Sequence, residues 1–279
     1  MRRLPISNKN FYGSISTGAA QYFKSERDID SLLTKKTLIF LQKRTLNEIK
    51  RLGLDKTFFK NKNIMNIGSG REIIPYVSYK PKNIDVFDIS TINIKNLKNY
   101  LFKKKIKIIR PKQLDITTHK LPKSKYDYAY VYGISQHLSH VGKGLMNITN
   151  SLKKNSIMWF YFYRSGSFVN FLRSAQRHLA KNTSPQIYKN KLKKLKLNFK
   201  FIDASLDDIY VDFMHIYSGN QYIKFLSYNF EIFGHSLLFP KIKKKIDFNN
   251  FHSSTILFLK KKNNKEIKPN SKLLKILSP

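Results

Sequence analysis

"NIMNIGSGREIIPYVSYKPKNIDVFDIS", residues 63–90, consists of a short apolar run, a Gly-x-Gly turn, a helix-length segment and a second apolar run ending in an aspartate. Ile64–Ile67 reads as a first strand and Ile84–Phe87 as a second, both with the near-continuous apolar character of strands buried on two faces. Gly68 and Gly70 fall where strand gives way to helix. The backbone must turn tightly there and come close to a ligand, and a Cβ would stand in the way. Residues 71–80 read as the intervening helix, closed by Pro81. Asp88 follows Gly68 by twenty residues. At that spacing a carboxylate at a strand end can accept hydrogen bonds from both hydroxyls of a ribose lying across the strands. Strand, glycine turn, helix, strand and acid together point to nucleoside binding.

The alternation continues downstream. Residues 92–104 read as a helix, 106–110 as a third strand, 126–133 as a fourth, 137–153 as a helix and 156–163 as a fifth strand. Strands alternating with helices predict a doubly wound α/β sheet. Segment 164–228 breaks the alternation with helical stretches at 167–180, 186–197 and 218–229. "FEIFGHSLLF" (230–239) and "HSSTILFLKKK" (252–262) are β-rich and too close in sequence for a helical crossover, so they are expected to pair antiparallel. Upstream, Ile29, Leu32, Leu33, Leu38, Leu41, Leu46 and Ile49 recur at helical spacing, and Gly53 is a plausible stop. The organisation read from these patterns is an arm and helix over 1–60, an α/β domain over 61–262 with an insertion at 164–228, and a basic, frayed tail over 263–279.

Composition narrows the function classes. The 279 residues include no cysteine, which excludes disulfides, thiolate nucleophiles and iron–sulfur clusters and is compatible with a cytoplasmic setting. The longest apolar run, "IMWFYFY" (157–163), is far too short to span a bilayer, and the first residues lack the apolar core of a secretory signal. The formal charge of +36 invites an anionic partner. Only ten of the 53 basic residues are arginine, however, and the lysines are scattered in short groups. Phosphate readers favour arginine's planar fork. Nucleic acid is therefore an open but less favoured partner, and much of the charge fits a solvated lysine-rich background.

The third glycine of a dinucleotide fingerprint is missing, and no lysine follows as a phosphate-cradling loop requires. Asp115 follows the third strand, and "YDYAYVYGISQHLSH" (126–140) gives an aromatic strand, Gly133 and a helix start. With these pieces the chain resembles the class I S-adenosylmethionine-dependent methyltransferases. "NIMNIGSGRE" is similar to their glycine-rich motif, "IDVFDIS" to their second-strand motif and "LDIT" to their adenine-contacting motif. "YDYAYVYGISQHLSH" resembles their fourth strand and the helix after it. The resemblance covers roughly residues 60–262. It implies a Rossmann-like, doubly wound, seven-stranded sheet, mostly parallel with an antiparallel last strand, plus an N-terminal helix and a helical insertion before strand six.

The same resemblance implies S-adenosyl-L-methionine as cofactor. Gly68 and Gly70 would pass under its methionine part, with Asn66 and Ser69 nearby. Asp88 would hold the ribose hydroxyls and Ile89 would pack on the adenine. Asp115 would accept from the adenine amino group beside Ile116, and Gly133 would let the fourth strand approach the sulfonium. Asn66 replaces the family's usual acid, and Glu72 occupies the family's usual third-glycine position, where its carboxylate can serve the cofactor's ammonium or crowd the loop.

Methyl transfer from a sulfonium needs alignment and desolvation first, and a general base only for a poorly acidic hydroxyl or a protonated amine. His215 and His137 are the candidate bases, with His140 a third histidine near the same mouth. Tyr210, Asp212, His215 and Tyr217 are the candidate acceptor contacts, because they share the segment that carries substrate contacts in many small-molecule members. No metal is expected, since no histidine pair stands at ligand spacing with a carboxylate. A Gly-x-Ser-x-Gly elbow is absent, as is the Asn-Pro-Pro-Tyr-like tetrapeptide of base-amino DNA methyltransferases. The favoured acceptor is a small molecule or a glycan- or lipid-linked intermediate. An RNA acceptor, or a non-catalytic scaffold on the same fold, are the alternatives.

Overall fold

In a computed structural model of the protein, the described residues are 35–68, 70–180, 182–196, 206, 208–210, 214–236 and 254–279. The arm over 1–24 and the first part of the N-terminal helix, with Ile29, Leu32 and Leu33, lie outside them, as do Ser69 and Asp212.

The strands are β1 (Asn63–Ile67), β2 (Asn83–Asp88), β3 (Ile109–Gln113), β4 (Tyr126–Tyr132), β5 (Leu152–Tyr163), β6 (Phe230–Ser236) and β7 (Ser254–Lys261). They form one seven-stranded sheet in the order β3-β2-β1-β4-β5-β7-β6. β1 to β5 run parallel, and β7 is antiparallel to both β5 and β6. This is the expected Rossmann-like sheet. Its strand order reverses between β1 and β4, which is where open α/β sheets bind ligands at their C-terminal ends.

Helices cover both faces. They are α1 (Lys35–Arg51), α2 (Thr91–Lys103), α3 (Val141–Ser151), α4 (Phe168–Ala180), α5 (Pro185–Lys194) and α6 (Gly219–Leu226). Alternate residues of each strand feed two separate cores. Ile64, Val86, Tyr128, Tyr130 and Trp159 pack with α1 and α2, whereas Met65, Ile67, Val131, Phe160 and Leu257 pack with α3 and α6. A parallel strand buried on both faces must be apolar at every position, and that is why these runs were legible as strands.

Several elements differ from the sequence expectation: β5 begins at Leu152 rather than at 156, and the helix expected over 137–153 spans Val141–Ser151. The helix expected after the glycine turn is present over Arg71–Tyr79 and takes the 3-10 form. Pro75 inside it removes a backbone donor and disfavours the α form, and no side chain caps its left-handed start at Gly70. β3 begins at Ile109 rather than at 106. The Ile106 amide instead closes the end of α2 on Leu101 O, and Lys105 takes a positive φ of 54°. The tail is not frayed. Ile267, Leu274 and Leu277 are buried against the α3 and α6 side of the sheet, and Ser271 caps a 3-10 helix over Lys272–Leu277. Asn150 holds Ile267 by both amide and carbonyl, each at 2.9 Å. Partly buried Leu273 and Ile276 pack against the same core, so apolar side chains spaced among the lysines dock the tail. Among the described residues, no helix is long and apolar enough to cross a membrane.

Candidate functional site

The rim where β1, β2 and β4 end gathers most of the expected cofactor residues. Asn66 is 1% exposed, and its Nδ2 donates to the Tyr130 carbonyl at 3.3 Å. Among the described residues its Oδ1 has no hydrogen-bond partner. A buried amide oxygen left so costs about 1–3 kcal/mol, so this acceptor suits an incoming donor. Gly68 has a φ of +128°, and a Cβ there would meet nothing closer than Ile134 Cγ2 at 3.5 Å. The turn is open at Gly68. Gly70 differs: its φ is +76°, and a Cβ would lie 2.6 Å from Leu97 Cδ2 and 2.7 Å from Val86 Cγ1. Its missing side chain lets β2 and α2 close behind the turn.

Asp88 and Asp115 share this rim, because the Leu114 amide donates to the Asp88 carbonyl at 2.9 Å. Asp88 is buried; Oδ1 accepts from the Ser90 amide at 2.8 Å and Oδ2 from Asn93 Nδ2 at 3.1 Å. These local bonds fix the carboxylate at the end of β2. Asp115 Oδ1 accepts from the Thr117 amide at 2.8 Å, which fixes the turn after β3. Ile89 is half-buried beside Asp88. Ile116 is a core residue, and its carbonyl accepts from Asn147 Nδ2 at 2.7 Å.

Glu72, in the third-glycine position, is buried and pairs with Arg71 through Nε at 3.2 Å and Nη2 at 3.0 Å. Burial pushes its carboxyl up, but Arg71 outweighs that and holds it below the ordinary range. A second pair, missed in the sequence, flanks it. Arg44 of α1 bonds Glu48 at 3.0 Å and the Tyr130 hydroxyl at 2.9 Å, with its guanidinium 5.0 Å above the Tyr132 ring. The i,i+4 spacing of Arg44 and Glu48 was the available signal. Burial raises Glu48 above its usual value despite Arg44. Beneath the guanidinium lies an aromatic stack, Tyr130 on Trp159 at 4.3 Å and Tyr132 on Tyr161 at 4.9 Å.

The side expected to face an acceptor begins at Gly133, whose φ is +60°. Gln136, not singled out from the sequence, braces this loop: Nε2 donates to the Gly133 carbonyl at 2.7 Å and lies 3.1 Å from His137 Nε2. The Gln136 carbonyl accepts from the His215 amide at 2.7 Å. That bond brings His215 and His137 to one loop. Burial pushes the His215 imidazole below its ordinary value, with His140 and Arg177 adding to the effect. Tyr217 stands at the end of β5, where its carbonyl accepts from the Ser165 amide at 2.9 Å. Two other residues have structural duties. His140 caps α3, its Nδ1 accepting from the Lys143 amide at 3.3 Å. Tyr210 is not at the rim: it is buried with Ala180, Leu192, Leu206 and Ile209, and its hydroxyl donates to Thr183 O at 2.9 Å.

Sheet order, reversed β7, an open glycine after β1 and acids after β2 and β3 define a class I methyltransferase-like fold. Solved structures agree. A candidate S-adenosylmethionine-dependent methyltransferase from Listeria monocytogenes is similar at 14% identity, covering 78% of this chain and all of its own, with a TM-score of 0.50. A complex between the Haloferax volcanii Trm112 methyltransferase activator and a candidate methyltransferase matches at 12% identity, 85% and 99% coverage and TM-score 0.51. A candidate sarcosine dimethylglycine methyltransferase from Galdieria sulphuraria matches at 13% identity, 88% and 98% coverage and TM-score 0.50. Identities this low establish the fold alone. No family model and no curated protein matches the chain.

Proposed function

We propose that the protein is an S-adenosylmethionine-dependent methyltransferase, cytoplasmic, acting on a small molecule or on a glycan- or lipid-linked acceptor. The observation that carries this reading is the buried Asn66 Oδ1 without a partner beside the open turn at Gly68, on the same rim as Asp88 and Asp115. The residues present fit the cofactor. Asn66 would accept from its ammonium, Gly68 would underlie its methionine part, Asp88 would hold the ribose, and Asp115 with Ile89 would take the adenine. Gly70 and Ile116 support these groups from behind. Gly133, braced by Gln136, would border the sulfonium side.

When bound, S-adenosylmethionine supplies a methyl carbon already activated by its sulfonium. The chain's own task is then to seat and dry the acceptor and to take up a proton where the acceptor carries one. His215 is the base of choice, because burial favours its neutral form, which can accept a proton near neutral pH. Its position against the Gln136 carbonyl fixes the backbone of that segment. His137 and Tyr217 would line the same mouth.

Isothermal calorimetry with S-adenosylmethionine tests the assignment. Binding by the wild type, weakened about tenfold or more in Asp88→Ala, is the expected result, since each hydrogen bond to a charged group is worth about 1.5–3 kcal/mol. No heat and no thermal shift with the wild type would overturn it and leave the non-catalytic scaffold.

A further inference from the structure

α4 is inside out. A helix on a globular surface turns its apolar stripe to the core and its polar face to water. Here Phe168, Phe171, Leu172, Ala175 and Leu179, at positions i, i+3, i+4, i+7 and i+11, all face solvent, with Phe171 67% and Leu179 76% exposed. The polar side faces in. Asn170 is buried and its Nδ2 donates to the Arg164 carbonyl at 2.7 Å. Arg173 pairs with Asp208 at 2.9 Å and lies 4.5 Å above the Tyr163 ring. Arg177 donates to the carbonyls of Asp208 and Ile209 at 2.7 and 3.0 Å. These polar bonds fasten the helix, so its apolar ridge is not what holds it to the domain.

α5 extends the surface. Ile187 is exposed on a stripe shared with Lys191 and Lys194, and exposed Leu195 follows the helix. Residues 168–196 contain eight Lys and Arg and no Asp or Glu, in a chain of net charge +36.

We propose that α4 and α5 form a docking face for an anionic lipid bilayer. The Phe168–Leu179 ridge would enter the boundary between headgroups and acyl chains, and the lysines beside it would meet the headgroups. Charge complementarity selects this occupant. A polyanion such as RNA would satisfy the lysines and leave Leu172 and Leu179 in water, whereas an apolar protein groove would cover the ridge and leave the lysines unmatched. A bilayer with acidic lipid offers both surfaces at the right depth. Docking does not depend on the methyltransferase reading. If that reading holds, docking also brings the rim beside Tyr217, next to the start of this insertion, within reach of a lipid-linked acceptor.

Flotation of the full chain with phosphatidylcholine vesicles, with and without phosphatidylglycerol, tests the proposal in the absence of cofactor. Charge alone would draw so basic a protein to acidic vesicles, so the decisive measurement is made in about 0.5 M salt, where surface attraction is screened. The wild type should stay bound there. Phe171→Ser with Leu179→Ser should weaken binding about tenfold or more at unchanged thermal melting, since both side chains are exposed. Lys191→Gln with Lys194→Gln should reduce the preference for phosphatidylglycerol and leave the residual binding salt-resistant. Binding that vanishes in high salt, or that survives the serine pair unchanged, overturns the proposal. So does a wild-type dimer that the serine pair converts to monomer, which would make a second copy the occupant.

Discussion

Alanine substitutions at the two described glycines of the turn should separate packing from ligand approach. At Gly70 an added Cβ would lie 2.6 and 2.7 Å from the side chains of Leu97 and Val86, both buried, at a φ of +76°. Left-handed backbone costs a non-glycine residue about 1–2 kcal/mol and overpacking a further 1–3 kcal/mol, so Gly70→Ala should lose about 2–5 kcal/mol. For a domain of this size that is a fall in Tm of roughly 4–20 °C. At Gly68 the added Cβ would have nothing nearer than 3.5 Å, so only the cost of its φ of +128° remains, about 1–3 kcal/mol. Its methyl would stand on the open side of the turn, where the cofactor is proposed to pass. Urea unfolding should therefore show the larger loss for Gly70→Ala. Calorimetry with S-adenosylmethionine, run well below both melting points, should show the larger affinity loss for Gly68→Ala. Wild-type stability with abolished cofactor binding in Gly70→Ala, or wild-type affinity in Gly68→Ala, would refute the assignment of the two roles.

Asp85 is fully buried and bonds Arg110 at 2.8 Å, Lys125 at 2.7 Å and the Tyr126 hydroxyl at 2.8 Å. Burial alone would raise its carboxyl, but these hydrogen bonds outweigh it and hold the group below its ordinary value. A depressed carboxylate adds stability above its unfolded pKa of about 3.9 and loses it as pH falls through the folded value. Asp85→Asn should thus cost about 3 kcal/mol at neutral pH, the low end for breaking a buried pair because Arg110 and Lys125 reach solvent, and it should flatten the acid limb of a stability–pH curve. His215 titrates below its ordinary value, so its contribution is present above about pH 6.5 and lost on acidification through the folded value. A proton NMR titration of its ring should give a midpoint under 6.5, and His215→Gln should remove that part of the acid-side loss while leaving cofactor affinity unchanged. Tyr210→Phe loses one buried hydrogen bond and should cost about 1 kcal/mol in urea unfolding with no change in cofactor affinity.

The sheet was legible because β1, β2, β4 and β5 carry short apolar runs, such as Tyr128–Tyr132 and Ile157–Tyr163, that fit strands covered on both faces. Asp88 was legible from its spacing after Gly68 at the end of the second strand, and Asn66 only through the resemblance of its motif. Other features depend on contacts that no local pattern encodes. Gly70 was read as clearing space for a ligand, yet its absent Cβ makes room for Val86 and Leu97, one on the next strand and one on the next helix. Tyr210 shared a segment with His215 but faces the insertion's own small core. The helix over 71–79 was legible as a helix, and Pro75 inside it is the sequence feature that favours its 3-10 form.

The outward ridge of α4 and the docked tail have one physical cause. Periodicity places a stripe on a helix but does not say which way the stripe points; that depends on what lies opposite it. For α4 the opposing groups are the Arg164 carbonyl, the Asp208 carboxylate and the Tyr163 ring, all of which favour Asn170 and the arginines over phenylalanine. For the tail, the opposing groups are Asn150 and the apolar side chains of α3 and α6, which favour Ile267, Leu274 and Leu277 over the lysines between them. Lysine density suggested fraying of the tail, an inference that treated composition as if it carried direction, and a surface reading of a lysine-rich chain therefore has to begin from the groups its helices face.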